Sequence, residues 1–364
     1  MAQAELVGCP NCGDEQWLPP GIAGFRCEFC RVHVGVRRAQ PQYRPNTRRE
    51  PIIIHPPLVR VSRSKRAVLC GISYKGTPYE LKGCIHDVNC MKYLLTTRFN
   101  FPEDSIIVLT EEETDSKRIP TKRNIQRWMC WLVQDCQPGD SLVFHYSGHG
   151  SQQRDYTGHE IDGYDETLLP LDFQKAGMIV DNEMNDTLVK PLPPGARLHA
   201  IIDACHSGTV LDLPYVCVFN PTKGKCAWED HTPQNGMWKG TMGGEAISFS
   251  GCDDDQTSAD TKALSKITST GAMTFSFIKA IEKGEGKTYG SLLRSMSDAV
   301  RKPFSLQKNM HIEGGGYKQG KIQPRKPNLT NMLFEGGNYK QGKFQEPQLS
   351  SSFPFDINEK PFYL

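Results

Sequence analysis

Short apolar runs alternate with amphipathic helical patterns from residue 65 onward, and this alternation constrains the fold more than any other feature. The runs have the length of buried strands and are bounded by Gly, Asp or Ser. They cover residues 67–72, 105–110, 141–146, 198–202 and 246–250. Between them, Val88, Met91 and Leu95 share one helical stripe, and residues 125–133 carry another behind Thr121 as N-cap. This rhythm predicts an α/β fold with a mostly parallel sheet, helices on both faces, and function at the carboxyl ends of the strands.

Composition narrows the class of protein. A chain of 364 residues, with 38% hydrophobic and 23% charged residues, supports a sizeable core and a satellite module, which excludes fibrous, collagenous and wholly disordered proteins. No apolar run reaches the roughly 18 residues that cross a bilayer, and the N-terminal region holds cysteines and charges instead of a secretory signal. We therefore expect no membrane association, and localisation in the cytoplasm with the nucleus as a second compartment. The formal charge of +2 gives no general attraction to nucleic acid.

The thirteen cysteines, in a reducing compartment, favour zinc binding, catalysis or core packing over a disulfide framework. Two CxxC pairs near the N-terminus have the spacing with which four thiolates converge on one tetrahedral zinc ion. The four residues are Cys9, Cys12, Cys27 and Cys30. Four protein ligands leave no open position for a substrate, so this zinc would be structural. The alternative is a set of unligated thiols in a disordered tail.

Two further segments look like connections. Residues 37–65 are basic and rich in proline, which is typical of an extended linker, although a basic run can also contact nucleic acid or an acidic partner. Residues 214–244 are poor in periodicity and rich in Gly, Pro and Lys, which predicts a long exposed loop. A motif at residues 313–321 recurs at residues 335–343, and we interpret it as a duplicated surface loop without assigned chemistry.

Two strand ends carry residues suited to nucleophilic catalysis. The run 141–146 leads into a small-residue turn with His149, and the run 198–202 leads into a turn with Cys205. Both turns fall on the same rim of a parallel sheet. Cys205 would attack a carbonyl carbon, His149 would protonate the leaving amine, and the amides of Gly150 and Cys205 would hold the oxyanion. The alternatives are a buried small hydrophobe for the cysteine and a core imidazole for the histidine.

His145 and His206 compete with His149 for the catalytic role. His145 lies inside the strand, on the same face as His149 but deeper, so we interpret it as a packing residue. His206 adjoins the nucleophile and is expected to point elsewhere.

The motifs HYSGHG, DACHSG and SFSGCDDDQTSAD, together with the opening CPNC…CEFC, resemble those of plant type I metacaspases with an LSD1-like zinc-finger prodomain. The likeness spans nearly the whole chain. It implies a zinc finger at residues 1–36 and a caspase-hemoglobinase-like peptidase domain at residues 66–364. The peptidase domain would consist of a p20-like part (66–222) with a processing loop (214–244) and a p10-like part (245–364). The resemblance also implies calcium-dependent activation, cleavage after Arg or Lys, a monomeric state, and a role in programmed cell death or stress and defence signalling.

The resemblance also assigns a substrate pocket. A cationic side chain at the P1 position of a substrate requires a buried carboxylate, and Asp203 lies on the same strand face as Cys205. The family pocket maps onto Cys84, Asp87, Ser147 and Asp203 of this chain. For Asp87 the alternative is a helix cap, and the two roles are compatible.

A calcium site follows from the resemblance as well. It maps onto Asp165, Asp181, Asn182 and Asp212, where Asn182 replaces an expected aspartate and removes one charge. The alternative is a set of solvated loop acids. If the pocket takes basic residues, the lysines of the processing loop are the nearest substrates, which makes Lys223, Lys225 and Lys239 the candidate autoprocessing sites.

The sequence therefore favours a cysteine endopeptidase acting on proteins and peptides with Arg or Lys at P1. Two other hypotheses stay open. In the first, the zinc finger and the basic linker serve an adaptor or regulator that binds protein partners, with the peptidase domain as a scaffold. In the second, the chain is another peptidase of the same clan that prefers Asn or Asp.

Overall fold

The computed structural model describes residues 5–8, 15–18, 24–27, 32–35, 64–155, 160, 163–205, 207–220, 225–233, 237–252, 271–301 and 346–364. The strands are β1 Glu5–Gly8, β2 Glu15–Leu18, β3 Gly24–Arg26, β4 His33–Gly35, β5 Lys65–Gly71, β6 Ile106–Thr110, β7 Ser141–Ser147, β8 Gly150–Arg154, β9 Tyr164–Leu168, β10 Ile179–Val180, β11 Arg197–Asp203, β12 Tyr215–Asn220, β13 Lys225–Asp230, β14 Glu245–Cys252 and β15 Glu346–Ser351. The helices are α1 Cys84–Arg98, α2 Lys122–Val133, α3 Phe173–Ala176, α4 Asp181–Met184, α5 Ala272–Glu282 and α6 Tyr289–Arg301, with a 3-10 turn at Glu103–Ser105 and a π-helical turn at Asn185–Val189.

One eight-stranded sheet organises the peptidase region, with the strand order β13-β12-β15-β14-β11-β7-β5-β6. The five strands from β14 to β6 are parallel, whereas β15, β12 and β13 join them antiparallel. These parallel strands are the five apolar runs of the sequence, so the predicted sheet is confirmed. A separate three-stranded antiparallel sheet, β10-β9-β8, follows the turn that carries His149.

Helices cover both faces of the main sheet because successive strand residues point to opposite sides. In β5, Val68 and Cys70 face the core under α2, and Ala67 and Leu69 face the core under α1, α5 and α6. The predicted stripes of α1 and α2 are both buried in these cores. The backbone N–H of Asn124 donates to the Thr121 hydroxyl, which confirms the predicted N-cap.

The segment 214–244 is not the exposed loop that its composition predicts. β12 and β13 form an antiparallel hairpin at the edge of the main sheet, and a disulfide between Cys217 and Cys226 joins the two strands. This disulfide departs from the expectation that the cysteines serve zinc, catalysis or packing. Lys225 is exposed at the start of β13, whereas the side chain of Lys239 is only 4% exposed, so Lys239 is not the accessible loop lysine that we expected.

The N-terminal region contributes two short antiparallel hairpins, β1-β2 and β3-β4. Cys27, directly after β3, is buried, whereas Cys9, Cys12 and Cys30 lie outside the described residues. Zinc binding therefore stays a prediction. No helix in the described parts of the chain is long and apolar enough to span a bilayer.

Candidate active site

The register of two neighbouring strands brings His149 and Cys205 to equivalent positions. β7 and β11 pair in parallel, with Ser147 opposite Asp203 at their carboxyl ends. His149 and Cys205 each follow two residues later, so both leave the sheet at the same rim. A Cβ atom placed on Gly150 would lie 2.0 Å from the carbonyl oxygen of Cys205, which shows how closely the two turns approach. Glycine is therefore required at position 150 for the two turns to meet.

The backbone orients the imidazole of His149. Its Nε2 lies 2.8 Å from the carbonyl oxygen of Tyr79, which accepts a hydrogen bond, so Nε2 carries the proton. The Tyr74 ring packs on the imidazole at a centroid distance of 4.8 Å, and the Tyr79 ring meets it edge-on. In this tautomer Nδ1 is the nitrogen that can accept a proton. Burial lowers the pKa of His149, which favours the neutral form that acts as a base.

Cys205 differs from the other reduced cysteines of the described residues because it is partly exposed, whereas they are all buried. Burial raises the pKa of Cys70 and Cys84, and it raises the pKa of Cys90 to about 12 and of Cys136 to about 11. Buried thiols of this kind are poor nucleophiles. The exposure of Cys205 thus singles it out among the described thiols.

His145 occupies the interior of β7, as its position in the strand predicted. It is fully buried, and its Nδ1 lies 2.9 Å from the carbonyl oxygen of Ile201. Burial lowers its pKa to about 4, so it is a neutral packing residue. His206 lies outside the described residues.

Two carboxyl groups of the predicted substrate pocket lie next to this rim. Asp87 is fully buried and Asp203 is 9% exposed. The hydroxyl of Ser147 donates to Asp87 at 2.7 Å, and the thiol of Cys84 is close enough to both carboxyl groups for their charges to raise its pKa further. The structure therefore brings together all four residues of the predicted substrate pocket.

The N-terminus of α5 closes this pocket, which the sequence did not indicate. The N–H of Gly271 donates to Asp87, and the N–H of Thr274 donates to Asp203 at 2.7 Å. A Cβ atom on Gly271 would lie 2.1 Å from Asp203, so only glycine fits there. Asp87 does not cap α1, because it lies in the first turn and the N-cap position belongs to Gly83. The helix-cap alternative for Asp87 is therefore wrong.

The two pocket carboxyl groups both have raised pKa values. Burial and the charge of Asp203 raise the pKa of Asp87 well above its ordinary value, and burial raises the pKa of Asp203. Without a cation between them, one of the two carboxyls tends to hold a proton.

A second group of acids lies beyond the turn of His149, where β9 meets α4. One carboxylate oxygen each from Glu160, Asp165 and Asp181 lies within 4.8 Å of the others. The Nδ2 group of Asn182 donates to Asp165, so Asn182 turns its amide nitrogen toward these acids. Burial and the charge of Asp212 raise the pKa of Asp181 to about 10. We call Glu160, Asp165, Asp181 and Asp212 the acidic cluster.

Lys239 inserts its ammonium group into the acidic cluster. Its Nζ lies 2.8 Å from Glu160 and also contacts the carboxylate of Asp212. Glu160 and Lys239 extend the predicted set, since the sequence pointed only to Asp165, Asp181, Asn182 and Asp212 at this place. The isolated acids of a solvated loop, which were the alternative, do not describe these buried carboxyl groups.

The acidic cluster is joined to the turn of the nucleophile. The hydroxyl of Thr209 donates to the Glu166 carboxylate at 2.6 Å, and the N–H of Glu166 donates to the cluster acid Asp181 at 2.7 Å. Asp212 lies in the same turn as Thr209. Asp212 adopts a left-handed backbone with φ 51°, which is unusual for a residue other than glycine. The stretch from Cys205 to Asp212 therefore carries the candidate nucleophile at one end and a cluster acid at the other.

Comparisons with known proteins identify the family of the chain. The family model described as "Metacaspase, peptidase C14 domain" matches residues 65–214. The chain is 55% identical to Metacaspase-1 of Arabidopsis thaliana over 99% of this chain and 96% of that protein. It is 45% identical to Metacaspase-2 of the same plant over 99% of both chains. It is also 42% identical to Metacaspase-1 of the yeast Scheffersomyces stipitis over 67% of this chain and 69% of that protein.

Proposed function

The chain belongs to the metacaspase family of cysteine-type peptidases, and we propose that it is a calcium-dependent endopeptidase that cleaves after Arg or Lys. The proposal assigns Cys205 as the nucleophile and His149 as the acid and base. The observation that carries it is the β7-β11 register, which sets both residues two positions beyond the paired ends of adjacent strands.

The proposed reaction begins with the transfer of the Cys205 proton to Nδ1 of His149. The thiolate attacks the carbonyl carbon, and the amides of Gly150 and Cys205 bind the resulting oxyanion. The imidazolium of His149 then protonates the departing amine as the carbon–nitrogen bond breaks, which leaves a thioester. Water, deprotonated by His149, hydrolyses the thioester and restores the thiol. The Tyr79 carbonyl keeps the imidazole in one tautomer throughout.

The buried pair of Asp87 and Asp203 supports a cationic P1 residue. A guanidinium or ammonium group compensates their charges and receives charge-assisted hydrogen bonds in return. An acidic P1 side chain would add negative charge to the pocket, and a neutral amide would leave the charge of the pair uncompensated. The arrangement thus disfavours the hypothesis of an Asn or Asp preference.

The acidic cluster supports calcium binding. Its donors are carboxylate oxygens, the ligands that calcium prefers, and Glu160, Asp165 and Asp181 already lie close together. Calcium held there would supply positive charge that lets the buried carboxyls ionise. The link from Thr209 to Glu166 offers a path by which the bound ion would order the turn of Cys205.

The proposal includes self-cleavage, but at fewer lysines than the sequence suggested. Lys225 is exposed at the edge of the β12-β13 hairpin, Lys239 is buried, and Lys223 lies outside the described residues. We also propose that the N-terminal cysteines bind a structural zinc ion and that the zinc finger binds protein partners. The proposal further includes a monomeric state, a cytoplasmic or nuclear location and a role in cell death or stress signalling. The family resemblance supports each of these.

The test is a fluorogenic peptide assay with Arg, Lys, Asn or Asp at P1, in the presence of calcium or of a chelator. We expect cleavage after Arg and Lys, dependence on calcium, and a loss of at least about a thousandfold in Cys205→Ala and in His149→Ala. Cys90→Ala removes a buried thiol of raised pKa and serves as the matched control with retained activity. Near wild-type cleavage by Cys205→Ala would refute the assigned nucleophile, and faster cleavage after Asn or Asp would refute the assigned specificity.

A further inference from the structure

Lys239 is a buried lysine whose ammonium group lies among carboxylates. Its side chain is 4% exposed, and it forms ion pairs with Glu160 and Asp212. Burial opposes a charged lysine, but two carboxylates within ion-pair distance of the ammonium group compensate this cost. Lys239 is therefore a fixed positive charge inside the acidic cluster.

The ammonium group and a divalent ion would need the same oxygens. Glu160 pairs with Lys239 and also belongs to the group of three carboxylates that can converge on one ion. Asp212, the other partner of Lys239, is held next to Glu160 by the same ammonium group. Like charges a few ångströms apart repel strongly at a site with little water, so the two cations cannot occupy the cluster together at no cost.

We propose that Lys239 is a built-in competitor of calcium: its ammonium group neutralises the acidic cluster when calcium is absent, and calcium must displace it to bind. This inference rests on the calcium site of the proposed function and adds a regulatory element to it. The intrinsic lysine lowers the apparent affinity for the ion, so that the site fills only when the calcium concentration is high.

The backbone of Lys239 shows which part of the residue moves. The amide of the buried Asn185 donates to the carbonyl oxygen of Lys239 at 3.0 Å and also contacts those of Leu211 and Asp212. This contact holds the main chain of Lys239 against the turn that carries Asp212. When calcium replaces the ammonium group, the side chain of Lys239 therefore moves out of the acidic cluster while its backbone stays bound to Asn185.

Release of the ammonium group changes the partner of Asp212. That residue ends the turn that begins at Cys205, and Thr209 in the same turn is bound to Glu166. The loss of the Lys239 ion pair and the gain of an ion therefore act on Asp212 directly, and on Thr209 through Asp181, which accepts a hydrogen bond from the N–H of Glu166. In this way the competition connects ion binding to the geometry of the active site.

The first experiment measures calcium binding by isothermal titration calorimetry in full-length protein with Cys205→Ala, which prevents self-cleavage. We expect Lys239→Met, which keeps the length of the side chain but removes its charge, to bind calcium about tenfold more tightly or better. Lys225→Met removes the same charge from an exposed position at the start of β13, and its affinity should match that of the parent. Unchanged or weaker binding by Lys239→Met would overturn the proposal.

The second experiment does not require a variant at position 239, so it holds even if Lys239→Met fails to fold. The Cys205→Ala protein is treated briefly with a lysine-acylating reagent, with calcium or with a chelator, and the modified lysines are identified by mass spectrometry. Lys239 should be protected without calcium and modified with it, whereas the exposed Lys225 should react under both conditions. Equal protection of Lys239 in a protein that demonstrably binds calcium would refute displacement.

The outcomes separate this proposal from the function that it extends. Absence of calcium binding in every variant would refute both the competition and the calcium dependence, while the peptide assay would still test Cys205. If Lys239→Met binds calcium more tightly but the rate of peptide cleavage is the same with calcium and with a chelator, the competition is supported and the calcium dependence of catalysis is refuted.

Discussion

At the scale of single residues, Asp87 and Asp203 show how a buried pair of acids can select a charge. Their pKa values are raised, Asp87 by burial and by the charge of Asp203, and Asp203 by burial. Each also accepts a backbone hydrogen bond that stabilises its ionised form. The pocket is consequently poised between a protonated state and a state that requires a cation.

This balance predicts a pH dependence of substrate binding. Because raised pKa values keep the pair partly protonated at low pH, a cationic P1 residue must compete with a proton there. The KM of an Arg peptide should fall as the pH rises through the raised pKa values of the pair, above the range in which an ordinary carboxyl group titrates. A peptide with citrulline, which has nearly the same shape but no charge, should lack this fall. The measurement is KM against pH for both peptides, and parallel profiles would contradict the prediction.

At the scale of elements, the start of α5 acts as a wall of the same pocket. The helix brings its first N–H groups to the carboxyls of Asp87 and Asp203, and the missing side chain of Gly271 leaves room for Asp203. A helix far from the nucleophile in sequence therefore shapes the pocket proposed for the P1 side chain.

Gly271→Ala should raise the KM for Arg and Lys peptides about tenfold or more, because its Cβ atom would push the Asp203 carboxylate out of position. kcat should change less, since Cys205 and His149 lie on other elements. Glu282→Ala, at the other end of α5, removes an ion pair with the exposed Arg98 and serves as the control with unchanged KM. Steady-state kinetics of both variants makes the comparison, and an equal loss in kcat would argue against a role in positioning the pocket.

The elements that could be predicted from the sequence are those whose hydrophobic pattern follows directly from burial. The five parallel strands are buried on both faces, so each appears as an unbroken apolar run. β12 and β13 lie at one edge of the sheet in a segment rich in Gly, Pro and Lys, and for this reason the segment was predicted to be a loop. His149 and Cys205 stood out because they follow predicted strands. The Tyr79 carbonyl and Gly271 could not be found, because backbone groups leave no mark in the sequence, and the burial of Lys239 depends on contacts with distant segments.

At the scale of the whole molecule, the boundary of the peptidase region lies before Lys65. β5 begins at this residue, and its Nζ donates to the carbonyl oxygens of Phe99 and Leu364. Lys65 thus ties the first strand of the main sheet to the last residue of the chain. It belongs with the sheet and not with the linker, to which the sequence had assigned it.

Removal of residues 1–60 should leave calcium-stimulated cleavage of an Arg peptide near the full-length rate, because β5 and its contacts are retained. Removal of residues 1–65 also deletes Lys65 and should lower the melting temperature by roughly 2–5 °C relative to the first truncation. Activity assays and thermal unfolding of the two truncations test both statements. A shorter truncation that folds but is inactive would show that the N-terminal region takes part in catalysis.

The register that pairs Ser147 with Asp203 also sets the distance between the pocket acids and the nucleophile. Two residues of extended chain span at most roughly 7 Å, so Cys205 lies within about this distance of the Asp203 position along the chain. Under the proposed specificity, a side chain with its charge at the far end of a long stem spans this gap while its carbonyl carbon meets the thiol. A shorter cation would reach either the acids or the nucleophile, but not both. The proposed specificity is therefore for the length of a side chain in addition to its charge.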